Sequence, residues 1–500
     1  YQGEAVPDIG LRNEYERPVG SPESMTQMIR FLPNQRIEER IERTGDEALK
    51  ADYEEFREMT KAMPFPPSQS IPRCLVHDAI LEGHAEWYGL TSFCGPAEEQ
   101  WIQYKYPREG CSKVHMIWTD SPCNVTCWND GFSFVRAMRS PDIEFIVAQH
   151  PWLENDCYMA DIILPVQTKF EMEDICDDSS SGVFTSAYHE LPACPPVGES
   201  LSDFDCVAAV ARKISEEHYQ AYTGNEKSIE RVIELFWRNS GVEHLDKEDD
   251  FHKKGIFVVP ADPDIQNKSA GLADFVKDPK NNPLSTPTGL LEFTSTKLKE
   301  LFPDDQERPP FPKWVERSEL HDERLSSERA KKYPLLLVSN HGRWRFHANC
   351  DDITWNREVA QMKVRAKDGY QYEPVWMHPS EAAKRGIAHG DIVKVYNERG
   401  TVLCGAFLTE RLVQNACYVD HGSRFDPIDA ERLDRGGAIN LITPHARLSK
   451  NATGMVVSGF LVEVEKVTDA EMAAWMRNYP EAFARTRDEA CGNCLAGWLL

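Results

Sequence analysis

No run of about 18 apolar residues occurs in the 500 residues, so no segment is predicted to cross a bilayer as a helix. Basic residues are in deficit: 56 Lys and Arg stand against 81 Asp and Glu, a formal net charge of −25 spread over the whole length. A groove that tracks nucleic-acid phosphates needs the opposite sign, so no nucleic-acid partner is expected, and the charge describes a well-solvated acidic surface. No Met precedes Tyr1, and no charged, apolar and small-residue series follows it. No signal peptide is visible; the expectation is that one was removed, or that the amino-terminal part of a longer chain is missing. Paired C-x-x-C motifs are also lacking. The single Cys491-x-x-Cys494 is half of a metal site and reads as an exposed thiol pair on a tail. The other cysteines of the 14 are irregularly spaced and are expected to be buried or free thiols in a reducing environment.

What is present is the composition of a soluble globular protein, 41% hydrophobic and 27% charged, on a chain long enough for several domains. Residues 1–70 are polar and helix-like, a segment closing an earlier α/β domain. Residues 71–235 alternate apolar strands with helices: "KVHMIWTDSPCN" is a strand running into a loop, "NDGFSFVRAMRS" a helix capped near Asn129 or Asp130, and "IEFIVAQHPWLEND" and "YMADIILPV" further strands. Strand, helix, strand at this spacing predicts a βαβ unit whose loops after Trp118 and Ala148 line one crevice. "PVGESLSDFDCVAAVARKIS" predicts a helix capped by Ser202 or Asp203, with Phe204, Val207, Ala208, Ala211 and Ile214 on its apolar face. Residues 236–333 are proline-rich and turn-rich, a return segment and linker. Residues 334–467 are dense in short strands, with "NERG" as a hairpin turn, and predict a β-barrel. Residues 468–500 form a helical tail.

Three constellations carry candidate chemistry. Asp161 stands against Ile162, Ile163 and Leu164, and a carboxylate buried there needs backbone or ligand N–H donors to offset its desolvation. Ser339, Asn340, His341, Arg343, Arg345 and His347 follow the apolar "LLLV", and two guanidiniums with two imidazoles at a strand end supply the forked donors that polyphosphates take. The same histidines have no third ligand at metal-like spacing nearby, so no metal is expected on them. In "DRGGAINLITPHARLSKNATG", Gly436 and Gly437 permit close backbone approach, and Asn440, Lys450 and Asn451 offer polar heads.

Taken in order, "YMADIILP" and "HPSEAAKRGIAHGDIVKVYNERGTV" resemble the signatures of the carboxyl-terminal half of molybdopterin oxidoreductases of the dimethyl sulfoxide reductase family, over most of residues 71–467. Within that family, "FEMEDI", "PVGESLSDFD", "FHKKGIFVVP", "TPTGLLEFTSTKLKEL" and "DRGGAINLITP" are similar to the pyrogallol–phloroglucinol transhydroxylases and the related catechol dehydroxylases. The resemblance implies a Rossmann-like guanine-dinucleotide-binding domain followed by a cofactor-binding barrel, and an enzyme with molybdenum carried by two molybdopterin guanine dinucleotides. It implies that Thr119, Ser121 and Asn124 occupy a first nucleotide loop and Gln149, Trp152 and Asp156 a second, with Asp161 in the scaffold beside them. Ser339, His341, Arg343, His347, Asn440 and Lys450 would reach pterin or phosphate from the barrel. Family members begin with a further α/β half, so the main catalytic residues and any protein ligand to molybdenum are expected outside this sequence. A substrate-facing tyrosine of the transhydroxylases aligns here with Val183 or Phe184, near Tyr188 and His189, and another falls close to Tyr1. The implied activity is the moving or removal of a ring hydroxyl on a small polyhydroxylated aromatic. A dehydroxylase would be fed by an iron–sulfur partner subunit with [4Fe-4S] clusters; a metal-free scaffold subunit is the rival of another class. The implied location is the bacterial cytoplasm or, for a dehydroxylase, export and association with the membrane through a partner.

Overall fold

The computed structural model describes residues 71–89, 101–177, 186–223, 248–258, 272–316, 321–455 and 459–485, except 285, 352 and 446, with a few positions between 41 and 69. Tyr1, Val183, Phe184, Cys491 and Cys494 lie outside the described residues. The chain divides into two compact units, Tyr1–Pro66 with Ser92–Ala97 and Pro165–Thr294, and Pro67–Thr91 with Glu98–Leu164 and Ser295–Leu500. Among the described residues no helix is long and apolar enough to cross a membrane.

In the larger unit, helix α1 (Val76–Glu82) is followed by strand β1 (Met116–Thr119), the short helix α2 (Asn124–Cys127), helix α3 (Gly131–Met138) and strands β2 (Phe145–His150) and β3 (Ile162–Pro165). β1 and β2 run parallel, with Ile117 opposite Ile146, and parallel neighbours require a crossover. α3 supplies it: Phe132, Val135 and Met138 recur at helical spacing and are buried, each contributing about 1.5–3 kcal/mol of transfer free energy. The sheet has three strands, in the order β1, β2, β3. The expected βαβ unit is therefore present, while these three strands do not establish a Rossmann-like domain.

The same unit ends in a closed six-stranded barrel. β7 (Leu335–Val338), β8 (Gln371–Met377), β9 (Ile392–Asn397), β10 (Gly400–Leu408), β11 (Ala416–Tyr418) and β12 (Phe460–Lys466) pair in the circular order β8, β11, β7, β12, β9, β10 and back to β8. "NERG" is the β9–β10 turn, as its sequence predicts: Asn397 faces Gly400 across the ladder, and its side-chain oxygen accepts from Arg399 N at 2.9 Å. β7 alternates buried Leu335 and Leu337 with half-buried neighbours. With Val375, Met377, Val393, Val395, Val402 and Val464 they form a core that continues onto Phe132 and Val135 of α3. The chain between β7 and β8 carries a loop, residues 339–351, that the site is built on.

The smaller unit holds the antiparallel strands β4 (Asp174–Asp177), β5 (Ser186–Glu190) and β6 (Ile256–Val258) and the helices α4 (Asp203–Ile214) and α5 (Glu248–Lys254). Ser202 caps α4, its hydroxyl accepting from Asp205 N at 3.0 Å. Of the predicted apolar face, Ala208 and Ala211 are buried, but Ile214 is 63% exposed, so the face is narrower than the sequence pattern suggested.

Candidate functional site

The loops after β1 and β2 meet. The Asp156 carboxylate, wholly buried, accepts from Asn124 N and Asn124 Nδ2 at 2.8 Å each and from Val125 N at 3.1 Å. It satisfies the orphan donors at the start of α2, so Asn124 and Asp156 spend these bonds on each other. Ser121 N donates to Thr119 Oγ1 at 3.3 Å, Trp118 Nε1 donates to Gln149 Oε1 at 3.1 Å, and Trp152 is 54% exposed at the rim. Asp161 departs from its expectation: it is exposed rather than buried. Its N–H donates to Ile146 O and its carboxylate accepts from Ile146 N at 2.7 Å, extending the ladder beside β2. The apolar run that suggested burial belongs to a sheet edge, where Ile162 is 45% exposed.

The loop after β7 separates its two guanidiniums. Arg343 is exposed and lies over the Trp344 ring, 5.3 Å from its centroid; among the described residues it forms no ion pair. Arg345 is buried and donates to Glu373 Oε1 at 2.8 Å, Asp351 Oδ1 at 3.0 Å and His421 O at 2.9 Å. Arg345 is thus not a phosphate fork but the post that holds the loop on the barrel. Lys363 and Arg357 complete a buried network on the same two carboxylates, at 2.7 Å to Glu373 and 2.9 Å to Asp351. His341 and Asn340 are exposed on this loop, and Ser339 Oγ is buried without a hydrogen-bond partner. Lys450 sits exposed in the turn between Arg447–Ser449 and Ala452–Met455.

His347 adopts φ 51 and its Nδ1 stands 3.3 Å from His421 Nε2. His421 Nδ1 is 2.9 Å from Asn440 Oδ1, and Asn440 Nδ2 donates to Cys127 O at 3.0 Å and Trp128 O at 3.4 Å. Asn440 therefore joins the barrel to the end of α2. Cys127 and His421 belong to the site although no sequence motif singles them out; the Cys123–Cys127 spacing of four residues, one helical turn, is the available signal for the thiol. A hydrogen bond from Cys123 favours the Cys127 thiolate and outweighs the opposing effect of burial, with His421 adding a second donor. The ten cysteines whose side chains the structure describes are free thiols.

In the smaller unit, Tyr188 lies half-buried on β5 opposite Ile256, and buried His189 bonds Glu173 Oε1 at 2.7 Å and His252 Nδ1 at 2.8 Å.

Burial pushes three carboxyls of the larger unit up, Asp156 and Asp434 to about 6 and Glu154 to about 7. A carboxyl whose pKa is higher folded than unfolded holds its proton longer in the fold. Its contribution is full below the unfolded value of about 4 and is lost as pH rises through the folded value. Urea midpoints are therefore expected to fall between pH 5 and pH 8, by an amount on the order of 2 kcal/mol per group. A flat profile over that range would show that these carboxyls are already ionised in the fold.

An exposed guanidinium, an exposed imidazole and an unpartnered hydroxyl on one barrel loop make a donor set suited to a phosphate-bearing nucleotide. Residues 335–457 match the Molydopterin dinucleotide binding domain, so the barrel segment of the chain is a domain of that class. The chain as a whole belongs to the molybdopterin oxidoreductases of the dimethyl sulfoxide reductase family. It is 31% identical over 435 residues to the pyrogallol hydroxytransferase large subunit of Pelobacter acidigallici, covering 80% of this chain and 48% of that one. It is 31% identical over 344 residues to the dimethyl sulfoxide/trimethylamine N-oxide reductase of Rhodobacter capsulatus, covering 65% and 38%. The chain spans about half the length or less of these curated relatives. Among solved structures, acetylene hydratase from Pelobacter acetylenicus aligns at 14% identity and a TM-score of 0.47, covering 70% of this chain and 44% of that one, too distant a likeness to carry weight.

Proposed function

We propose that this chain is the cofactor-covering part of a molybdenum enzyme that carries two molybdopterin guanine dinucleotides and moves a hydroxyl on a pyrogallol-type or catechol-type ring. The observation that carries the reading is the coincidence of the dinucleotide-binding match with 80% coverage by the hydroxytransferase relative. When bound, the group supplies Lewis-acid polarisation and a two-electron change. The residues of this chain bind and orient it. Arg343 gives a charge-assisted fork to phosphate, Ser339 and His341 add donors, and Thr119, Ser121, Gln149 and Trp152 line the β1 and β2 loops, with Asn124 and Asp156 fixing α2 beneath them. Asn440 and Lys450 complete the barrel side. Tyr188 and His189 follow the expected substrate loop in sequence, on β5.

Metal analysis of the purified protein tests the reading. Molybdenum with guanine nucleotide released by acid is expected, and the absence of both would favour a metal-free scaffold instead. Transhydroxylation needs no net electrons, whereas reductive dehydroxylation takes two from a donor such as an iron–sulfur subunit. Turnover of a catechol only with an artificial donor would favour the dehydroxylase; turnover only with a hydroxylated cosubstrate supports the transhydroxylase. Arg343→Ala should lower molybdenum content, since each charge-assisted bond lost is worth roughly 1.5–3 kcal/mol, about tenfold or more in affinity. Full occupancy in that variant would show that the loop does not hold phosphate.

A further inference from the structure

The cofactor reading gives His347 a pterin or phosphate contact but Cys127 and His421 no task, and the three converge beside the barrel loop. Cys127, His347 and His421 each offer one ligand atom, and the three atoms lie within 4.8 Å of one another. His347 Nδ1 and His421 Nε2 are 3.3 Å apart. With Zn–N bonds of about 2.0–2.1 Å, a tetrahedral centre sets two ligand nitrogens about 3.3–3.4 Å from each other, which is the separation found. We infer that Cys127, His347 and His421 form a transition-metal site of the zinc class, lying in the larger unit between the end of α2 and the barrel loops.

The surroundings fix the ligand atoms. Asn440 Nδ2 donates to two backbone carbonyls, Cys127 O and Trp128 O, so the amide cannot be turned over and its oxygen must face His421. An amide oxygen only accepts, so His421 Nδ1 carries a proton, and the proton that Nε2 gives the Cys127 thiolate is the one a bound metal displaces. A ligand imidazole whose other N–H is held by an oxygen is the usual outer-shell arrangement of a metal site. His347 is held in its left-handed conformation by the backbone: a Cβ on Gly422 would lie 1.8 Å from His347 O. Water would take the fourth position. A set of two nitrogens and one sulfur selects zinc or cobalt over the hard cations. Sequence spacing does not show the site, because its members come from three separate loops.

Cobalt(II) is the probe. Titrated into the full-length protein after chelator treatment, it should bind one equivalent and give the intense near-ultraviolet thiolate-to-cobalt band, which zinc then abolishes. Cys127→Ser should remove the band, and His421→Gln should weaken cobalt binding at least tenfold, with unchanged circular dichroism in both. His347→Gln, at a half-buried position, should weaken it similarly. No thiolate band in the parent protein, or a band that survives Cys127→Ser at unchanged affinity, would overturn the assignment. Molybdenum measured on the parent, Cys127→Ser and His421→Gln samples reports on the cofactor reading separately, since His347 alone of the three is also a cofactor candidate.

Discussion

Asp351→Ala is expected to cost the barrel about 3–5 kcal/mol, the usual penalty for removing one partner from a buried ion network. Asp351 is fully buried and takes bonds from Arg345, Arg357 and Lys363 at 2.9–3.1 Å. Without it, buried Arg345 and Lys363 keep only Glu373 as a carboxylate partner, and buried Arg357 keeps none, its remaining side-chain partner being Gln371. At about 2–4 °C per kcal/mol for a unit of this size, the thermal midpoint should drop by roughly 10 °C. Arg365→Ala, which breaks only the exposed pair with Glu358, 57% and 68% exposed, should cost less than about 1 kcal/mol. Equal midpoints for the two variants would show that the network contributes no more than a surface pair. The network also sets an acid limit. Burial by itself would raise the Asp351 pKa, but Lys363, Arg357 and Arg345 outweigh it and hold the carboxyl far below the usual carboxylate range. A carboxyl depressed in the fold contributes stability above the unfolded value, about 4, and loses it progressively as pH falls below that. With the three raised carboxyls losing their contribution from the other side, greatest stability is expected in mildly acid solution, near pH 5.

The contrast between Arg343 and Arg345 shows what a sequence can and cannot display. Both follow the same apolar strand, two residues apart, and local chemistry assigns them the same fork. Their difference lies in partners elsewhere in the chain: Glu373 arrives from β8, a neighbour only after the barrel closes. Local rules served where the determinants are local, as at the Ser202 cap, the "NERG" turn and the α3 crossover. They failed at Asp161, because an apolar neighbourhood predicts burial only if the strand lies inside its sheet and not at an edge. They were blind to the meeting of Cys127 with His421, since α2 and the segment after β11 become neighbours only through the Asn440 bridge. The binding class was legible because its motifs recur in a fixed order, whereas the positions that hold each group had to be seen in space.

Gly422→Ala is the variant expected to disturb the site most for the smallest chemical change. Gly422 has φ +86, and a methyl there would lie 1.8 Å from the His347 carbonyl oxygen and 2.3 Å from its carbon. Both atoms are backbone, so no side-chain rotation relieves the overlap. A suitable control is Gly386, which follows helix α6 (Pro379–Lys384) at φ +63 with nothing within 4 Å of a built Cβ. Both substitutions carry the left-handed penalty of about 1–2 kcal/mol; only Gly422→Ala adds the overpacking cost of about 1–3 kcal/mol. Thermal midpoints should therefore separate the two by several degrees. The more telling readout is local. To admit the methyl, the His347 turn must move away from His421, so cobalt binding and molybdenum content should fall in Gly422→Ala and stay at the parent level in Gly386→Ala. If both variants lose only stability and keep their metal content, the close seat of His347 on Gly422 serves packing alone.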